Sequence, residues 1–179
     1  MKGGESLTTE EFERLLEIYG NDIYSFCLYI MHNRANAEDL YQDTVLTAFR
    51  KADKIDLSEN PRSYLLSVAV KLSHNYFRKE KRRNERTASS SPEEIDNISD
   101  NTDVQSDVEE SALKSALRKV VSELDGKYRI PVVLYYFDEH DLAYISGIMK
   151  IPKGTVKSRL HKAREIIAEK LKQEGYENG

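Results

Sequence analysis

The chain has 179 residues and a single cysteine, Cys27. That excludes an internal disulfide and a cysteine-rich zinc site. The four histidines, at 32, 74, 140 and 161, show no metal-ligand spacing. Long apolar runs are also missing: the longest, Ile130 to Phe137, spans eight residues and contains Pro131, too short to cross a bilayer. The start of the chain is acidic and polar through Glu13, which is not the pattern of a signal peptide, so a cytoplasmic protein is expected. No nucleophile constellation, clustered metal ligands or phosphate-binding glycine loop is present. Neither an enzyme nor a cofactor is therefore expected.

What is present is segregated charge. The net charge of −4 hides three different stretches. Residues 1–83 carry 13 basic and 13 acidic side chains, residues 84–111 one basic and nine acidic, and residues 112–179 13 basic and nine acidic. A basic C-terminal part can hold phosphates even in a chain that is acidic overall.

The basic part ends in the densest motif. Val156, Leu160, Ala163, Ile167 and Leu171 recur at steps of three and four and so share one face of a helix. Thr155, Ser158, Arg159 and Lys162 fall on another face, with Lys157, His161 and Arg164 beside it. A shorter helix is expected over Asp141 to Met149, separated from the longer one by Lys150-Ile151-Pro152. Helix, tight turn and longer basic helix is the helix-turn-helix order, in which the second helix enters a DNA major groove. Eight Lys or Arg and two acids between Lys150 and Lys172 suit that role. A solvated charged helix packing on its neighbour is the plainer alternative.

The N-terminal part reads as three helices. Thr8 and Glu11 form a capping-box pair, followed by an apolar stripe, Phe12, Leu15, Leu16, Tyr19, Ile23, Phe26, Cys27 and Ile30. Cys27 on that stripe is expected to be a buried structural thiol. Asn36 is placed to cap a second helix with Leu40, Thr44, Val45 and Ala48 inward and Asp39, Gln42, Asp43 and Leu46 outward. A leucine among outward acids hints at a partner surface. Asn60-Pro61 gives a cap and a first-turn proline to a third helix whose stripe is Leu65, Val68, Ala69, Leu72 and Tyr76. Lys71, Asn75, Arg78 and Arg82 share another of its faces, and six cations lie between Lys71 and Arg83 against one acid, Glu80. Cations favour a helix C-terminus, but six exceed what capping needs. Interleaved with Tyr64, Tyr76 and Phe77 they suit single-stranded DNA, whose bases stack on rings.

Residues 84–111 lack a helical or strand period and read as a flexible acidic linker. A fourth helix is expected after a capping pair of Ser106 and Glu109, and a fifth from about Lys127 to Asp138 with Pro131 kinking it. The run Val132 to Tyr136 could pass for a strand, but no partner strand is found elsewhere. The expected fold is all-α: two small helical domains joined by a flexible acidic linker, the second containing the helix-turn-helix.

Three motifs in this order resemble the extracytoplasmic-function (ECF) sigma factors, promoter-specificity subunits of bacterial RNA polymerase. Ala37 through Phe49 is similar to the helix that grips the polymerase clamp. Arg62-Ser63-Tyr64-Leu65 through Asn75-Tyr76-Phe77-Arg78-Lys79 is similar to the segment that melts the promoter and reads its minus-10 element. Gly154 through Arg164 is similar to the minus-35 recognition helix. The chain departs from the usual family pattern at Tyr64, where Trp is common, and at Val70-Lys71, where Arg-Asn is common. It departs again at Ala143, Tyr144 and Ser146 in the first helix of the helix-turn-helix and at Lys150 in the turn, usually Gly.

The resemblance implies a domain over 1–83 that binds core polymerase through Asp39, Gln42, Asp43 and Leu46. It implies minus-10 contacts from Tyr64, Lys71, Asn75, Arg78, Lys79 and Arg82. Residues 112–179 would form a domain that reads the minus-35 element with Lys153, Thr155, Lys157, Ser158, Arg159 and Lys162. Core RNA polymerase, promoter DNA and an anti-sigma factor, often membrane-anchored in the family, are the implied partners. A polymerase-independent DNA-binding regulator would explain residues 141–172 but not the Ala37–Phe49 helix. A nuclease would need carboxylates clustered near the basic faces, and the acids instead crowd into 84–111. An all-helical adaptor leaves the basic recognition helix unexplained.

Overall fold

The computed structural model describes residues 7–31, 33–57, 59–87 and 112–176. They form α1 (Thr9–Ile30), α2 (Arg34–Phe49), a short 3-10 turn (Ala52–Lys54), α3 (Pro61–Thr87), α4 (Ala112–Ser122), α5 (Gly126–Val132), a π-helical turn (Val133–Phe137), α6 (Leu142–Met149) and α7 (Lys153–Gln173). Among the described residues there is no strand, as the missing partner for 132–136 led us to expect.

Local chemistry sets most boundaries. At α1 the Thr8 hydroxyl accepts from the Glu11 N–H while the Glu11 carboxylate accepts from the Thr8 N–H, the reciprocal box its spacing predicts. That box holds the Glu11 carboxyl below the usual carboxylate range, through the Thr8 backbone N–H first and its hydroxyl second. The cap of α2 is Asn33, not Asn36. Asn33 is extended (φ −146°, ψ 162°) and its Oδ1 accepts from the Asn36 N–H at 2.7 Å. A cap must precede the N–H it binds by two or three residues, and Asn36 already lies inside the first turn. At α3, Asn60 accepts from the Ser63 N–H at 2.9 Å. That helix runs to Thr87, ten residues past Phe77, where its apolar pattern ends. The expected Ser106–Glu109 cap of α4 lies outside the described residues.

Pro131 does not end the fifth helix. It removes one backbone donor, and the chain beyond it pairs at five residues, with the Asp138 N–H donating to the Val133 carbonyl at 3.1 Å. In this turn Val133 and Leu134 are buried while Tyr135, Tyr136 and Phe137 are exposed.

Helices α1, α2 and α3 pack as one lobe and α4 to α7 as a second. Phe12, Leu15, Ile23, Phe26, Leu40, Leu65 and Leu66 are buried in the first, and Ile130, Leu134, Ile145, Val156 and Leu160 in the second. Cys27 is fully buried, and burial pushes its thiol up to about 12, so it is the structural thiol its stripe predicts. The two lobes are in contact, α3 chiefly with α6 and also with α5, and their apolar residues form one contiguous cluster.

Candidate nucleic-acid interface

The helix-turn-helix is built from α6 and α7. Asp141 caps α6, its carboxylate accepting from the Tyr144 N–H at 2.7 Å. That bond is the main reason its carboxyl titrates below the usual range. The turn places Lys150 in the left-handed region (φ 52°, ψ 45°), where a side chain is strained and glycine is not. Ser146 compensates. Its hydroxyl donates to the Ile151 carbonyl at 2.6 Å, and its own carbonyl accepts from the Ile151 N–H at 3.2 Å. Two departures from the family pattern, at 146 and 150, are thus one local arrangement.

In α7, Val156, Leu160 and Ala163 are buried while Ile167 and Leu171 are half-buried. The anchored face is the predicted one and loosens toward the C-terminus. Lys153, Lys157, Ser158 and Lys162 are exposed, and Thr155 and Arg159 are half-buried. Glu165 engages two side chains of this helix, Lys162 at 2.9 Å and His161 at 3.3 Å, and its carboxyl is drawn down, by Lys162 foremost. Ser158 donates to the Thr155 carbonyl at 3.0 Å, a local bond that a base or phosphate could replace.

The second basic face lies on α3. Lys71, Asn75, Arg78, Lys79 and Arg82 are exposed along one side, and Arg78 donates to the Asn75 carboxamide oxygen. With Leu72, Tyr76 and the α2 carboxylate Asp43, all but Lys71 line a cavity of about 340 Å³. The Tyr76 hydroxyl is pushed up by burial first and by the negative charges of Asp39 and Asp43 after it. The acidic face of α2 and the basic face of α3 therefore meet at Tyr76. Two sets of residues assigned to different partners share an edge. On α2, Asp39, Gln42 and Asp43 are exposed, Leu46 retains 46% exposure, and Leu40, Thr44 and Ala48 are buried. The Thr44 hydroxyl is satisfied by the Leu40 carbonyl at 2.7 Å.

Tyr64 sits away from that cavity. It lines a groove of about 660 Å³ with Lys51, Lys54, Lys71 and His74 from the first lobe and Ile148, Met149 and Lys150 from the turn of the second. The His74 imidazole is held below its ordinary range by burial, then by the nearby charges of Arg159 and Arg78. The turn that precedes α7 therefore stands close to α3, an approach that no local pattern reveals.

Sequence reading also missed a polar cluster between the lobes. Arg62 donates through Nη2 to Asp138 at 2.5 Å and through Nε to Asp22 at 3.0 Å, while its Nη1 lies 2.9 Å from His140 Nε2. Burial works against the Arg62 charge, yet the hydrogen bond and charge of Asp138 and the hydrogen bond of Asp22 outweigh it and raise its pKa. Ser63 donates to the Tyr144 hydroxyl at 2.8 Å, and the Tyr144 ring stacks on His140 at 3.8 Å. Arg129, 2% exposed, donates to the Ile30 carbonyl at 2.7 Å and the Leu124 carbonyl at 2.6 Å. The one available signal was Arg129 itself, a cation at the edge of the apolar run 130–137.

Two family models match, Sigma-70 region 2 over residues 15–83 and Sigma-70 region 4 over residues 114–167. The chain is 31% identical over 155 residues to the ECF RNA polymerase sigma factor SigM of Bacillus subtilis (strain 168), covering 87% of this chain and 91% of that protein. It is 29% identical over 168 residues to SigW of the same organism, with 91% and 90% covered. Among solved structures it is similar to the sigma factor RpoE of Bartonella quintana, in a co-crystal with the anti-sigma factor NepR. The TM-score is 0.70 at 21% identity, over 92% of this chain and 98% of that one, a likeness of fold.

Proposed function

The chain belongs to the ECF sigma factors of RNA polymerase, a premise from which we propose how its lobes divide the work. Members of the family are initiation factors, not enzymes: the chain binds core polymerase and directs it to promoters. In our reading residues 1–83 form the domain that engages core polymerase and the minus-10 element, and residues 112–179 the domain that reads the minus-35 element. Residues 84–111 tether them.

Asp39, Gln42, Asp43 and Leu46 dock on the core enzyme. Their exposure on one face of α2, with a leucine left in water, supports this. Lys153, Thr155, Lys157, Ser158, Arg159 and Lys162 enter the upstream major groove. Tyr64, Lys71, Asn75, Arg78, Lys79 and Arg82 take the downstream strand as it opens. Unstacking a base costs a few kcal/mol, and stacking on a ring with nearby cations returns about 1–3 kcal/mol per base. Tyr64 and Lys71 share a groove with enough room for a base.

The observation that carries this division is the pair of basic faces, α3 and α7, each anchored by its own apolar stripe. An anti-sigma factor is the proposed inhibitor, supported by the co-crystal of the similar RpoE with NepR. No helix among the described residues is long and apolar enough to cross a membrane, and we place the chain with the polymerase in the cytoplasm.

Run-off transcription with core polymerase tests the reading. The intact chain starts transcripts at a defined promoter set. Replacing Asp39 and Asp43 together by Ala abolishes core capture. Arg159→Ala weakens promoter binding by about 1–3 kcal/mol and relaxes one base position, whereas Lys157→Ala lowers the salt slope by about one. A chain that binds its DNA but starts no transcripts with core polymerase is a plain regulator, and the reading fails.

A further inference from the structure

The groove that holds Tyr64 carries charge of one sign. Four lysines line it, Lys51 and Lys54 at the 3-10 turn, Lys71 on α3 and Lys150 before α7, and no carboxylate is among its lining residues. All four are exposed. Elsewhere Lys119, Lys162 and Lys170 each meet a carboxylate; among the described residues these four meet none. His74, also in the lining, is held below its ordinary range by burial first, then by Arg159 and Arg78, with Asp125 opposing. Cations outside the lining therefore add to the same field. Asp53 is felt at Tyr64 but lies outside the lining. The remaining walls are apolar, Val68, Leu72 and Met149 among them. Ser67, whose hydroxyl donates to the Tyr64 carbonyl at 2.8 Å, keeps lone pairs that can accept from a ligand. At about 660 Å³ the groove falls within the size of small-molecule sites, about 300–1,000 Å³.

We propose that this groove also binds a free nucleoside polyphosphate, which competes with the promoter strand for Tyr64 and Lys71. The competition rests on the functional reading just given; the binding does not. A single DNA strand spreads its charge along its length, one phosphate per nucleotide. It brings few phosphates to any one groove. A di- or triphosphate gathers several negative charges at one point, which is what four neighbouring ammonium groups demand. Lysine serves phosphate oxygens as a compact point charge. The base has a π-face, which stacks on an aromatic ring whatever its identity, and Tyr64 supplies the ring beside apolar walls. Bare triphosphate would use the lysines alone and a bare nucleoside the walls alone; a nucleotide uses both. The lining offers no carboxylate to hold a catalytic cation, so the event is binding and not hydrolysis.

A fluorescent analogue of ATP reports binding to the full chain by anisotropy, without core and at constant salt. The parent binds it saturably. Unlabelled ATP displaces the analogue at lower concentration than inorganic triphosphate does, and adenosine needs the highest. Lys54→Ala with Lys150→Gly weakens binding by about tenfold or more, as the loss of two charge-assisted contacts requires. Lys51→Ala, a smaller change, weakens it several-fold. Lys119→Ala with Lys172→Ala removes the same charge away from the groove and leaves binding as it was. A labelled single strand of the minus-10 element, bound by the chain, is released by ATP, and this release is lost in the Lys54→Ala, Lys150→Gly variant. Absence of saturable binding overturns the site. Equal weakening by the control pair, or triphosphate that displaces as well as ATP, reduces it to a polyanion patch and overturns the nucleotide. ATP that binds without releasing the strand overturns the competition. A parent chain that starts no transcripts with core overturns the functional reading instead, while the ATP titration still decides the binding.

Discussion

The interiors of the two lobes and the seam between them are built from different chemistry. Within the lobes the buried side chains are mostly Leu, Ile, Val, Phe and Ala, with Cys27 and Met31 among them and Thr44 and Ser73 each satisfied by a carbonyl of its own helix. At the seam stands the one buried charge among the described residues, Arg129, and beside it the Arg62, Asp138 and His140 cluster. An apolar interior is non-directional and tolerates small shifts. Charge-assisted hydrogen bonds fix one register and lose most of their worth when it is lost. The lobes are therefore expected to be independently stable bodies, and the seam a switchable contact. Interfaces between domains of one chain are commonly of this more polar kind.

The largest expected effect attacks an interior. Leu40, fully buried in α2, becomes a cavity in Leu40→Ala, which costs about 2–5 kcal/mol. Urea unfolding followed by circular dichroism then shows the first lobe melting early, ahead of the second. Arg62→Ala attacks the seam. It removes bonds to Asp138 and Asp22 and costs about 1–2 kcal/mol. Amide exchange quickens at Asp138 to Tyr144 and around Arg62, while the α1–α2 interior keeps its protection. Equal loosening of interior and seam would break the contrast.

Smaller still is Lys150→Gly. It relieves the left-handed residue of the turn and stabilises the second lobe by up to about 1 kcal/mol, seen as a higher urea midpoint with the first lobe unchanged. The smallest effect is pH-dependent. The Asp141 carboxyl is held below its unfolded range by the Tyr144 N–H. A depressed folded pKa means stability that is present above the unfolded carboxylate range and lost as pH falls through the folded one. Acid melting below about pH 4 should therefore be shallower at α6 in Asp141→Asn, which keeps the cap without the charge.

How far the sequence carried this picture follows from range. Capping pairs and apolar stripes act over three to eight residues, so the Thr8–Glu11 box, the Asn60 cap, the α7 stripe and the order helix, turn, helix were all legible. The choice between Asn33 and Asn36 turned on one backbone conformation, extended at Asn33, that a string of letters does not show. The π-turn after Pro131 is a change of hydrogen-bond register, seen in the Asp138 N–H donating to the Val133 carbonyl, that no residue pattern announces. The exposed cations of α3 and α7 were readable from period alone. Their nearness was not, because the seam pairs residues 76 to 99 positions apart, as in Arg62 with Asp138 and Arg129 with Ile30. Those side chains carry no local signature of each other.

One titration bears most directly on the claim that this chain reads promoters as part of the polymerase and not by itself. Fluorescence anisotropy of a labelled promoter duplex, at one fixed salt concentration, is measured with the chain alone and with the chain plus core polymerase. The account predicts weak binding by the chain alone and at least tenfold tighter, promoter-specific binding once core is present. Equal affinity in the two titrations would contradict it.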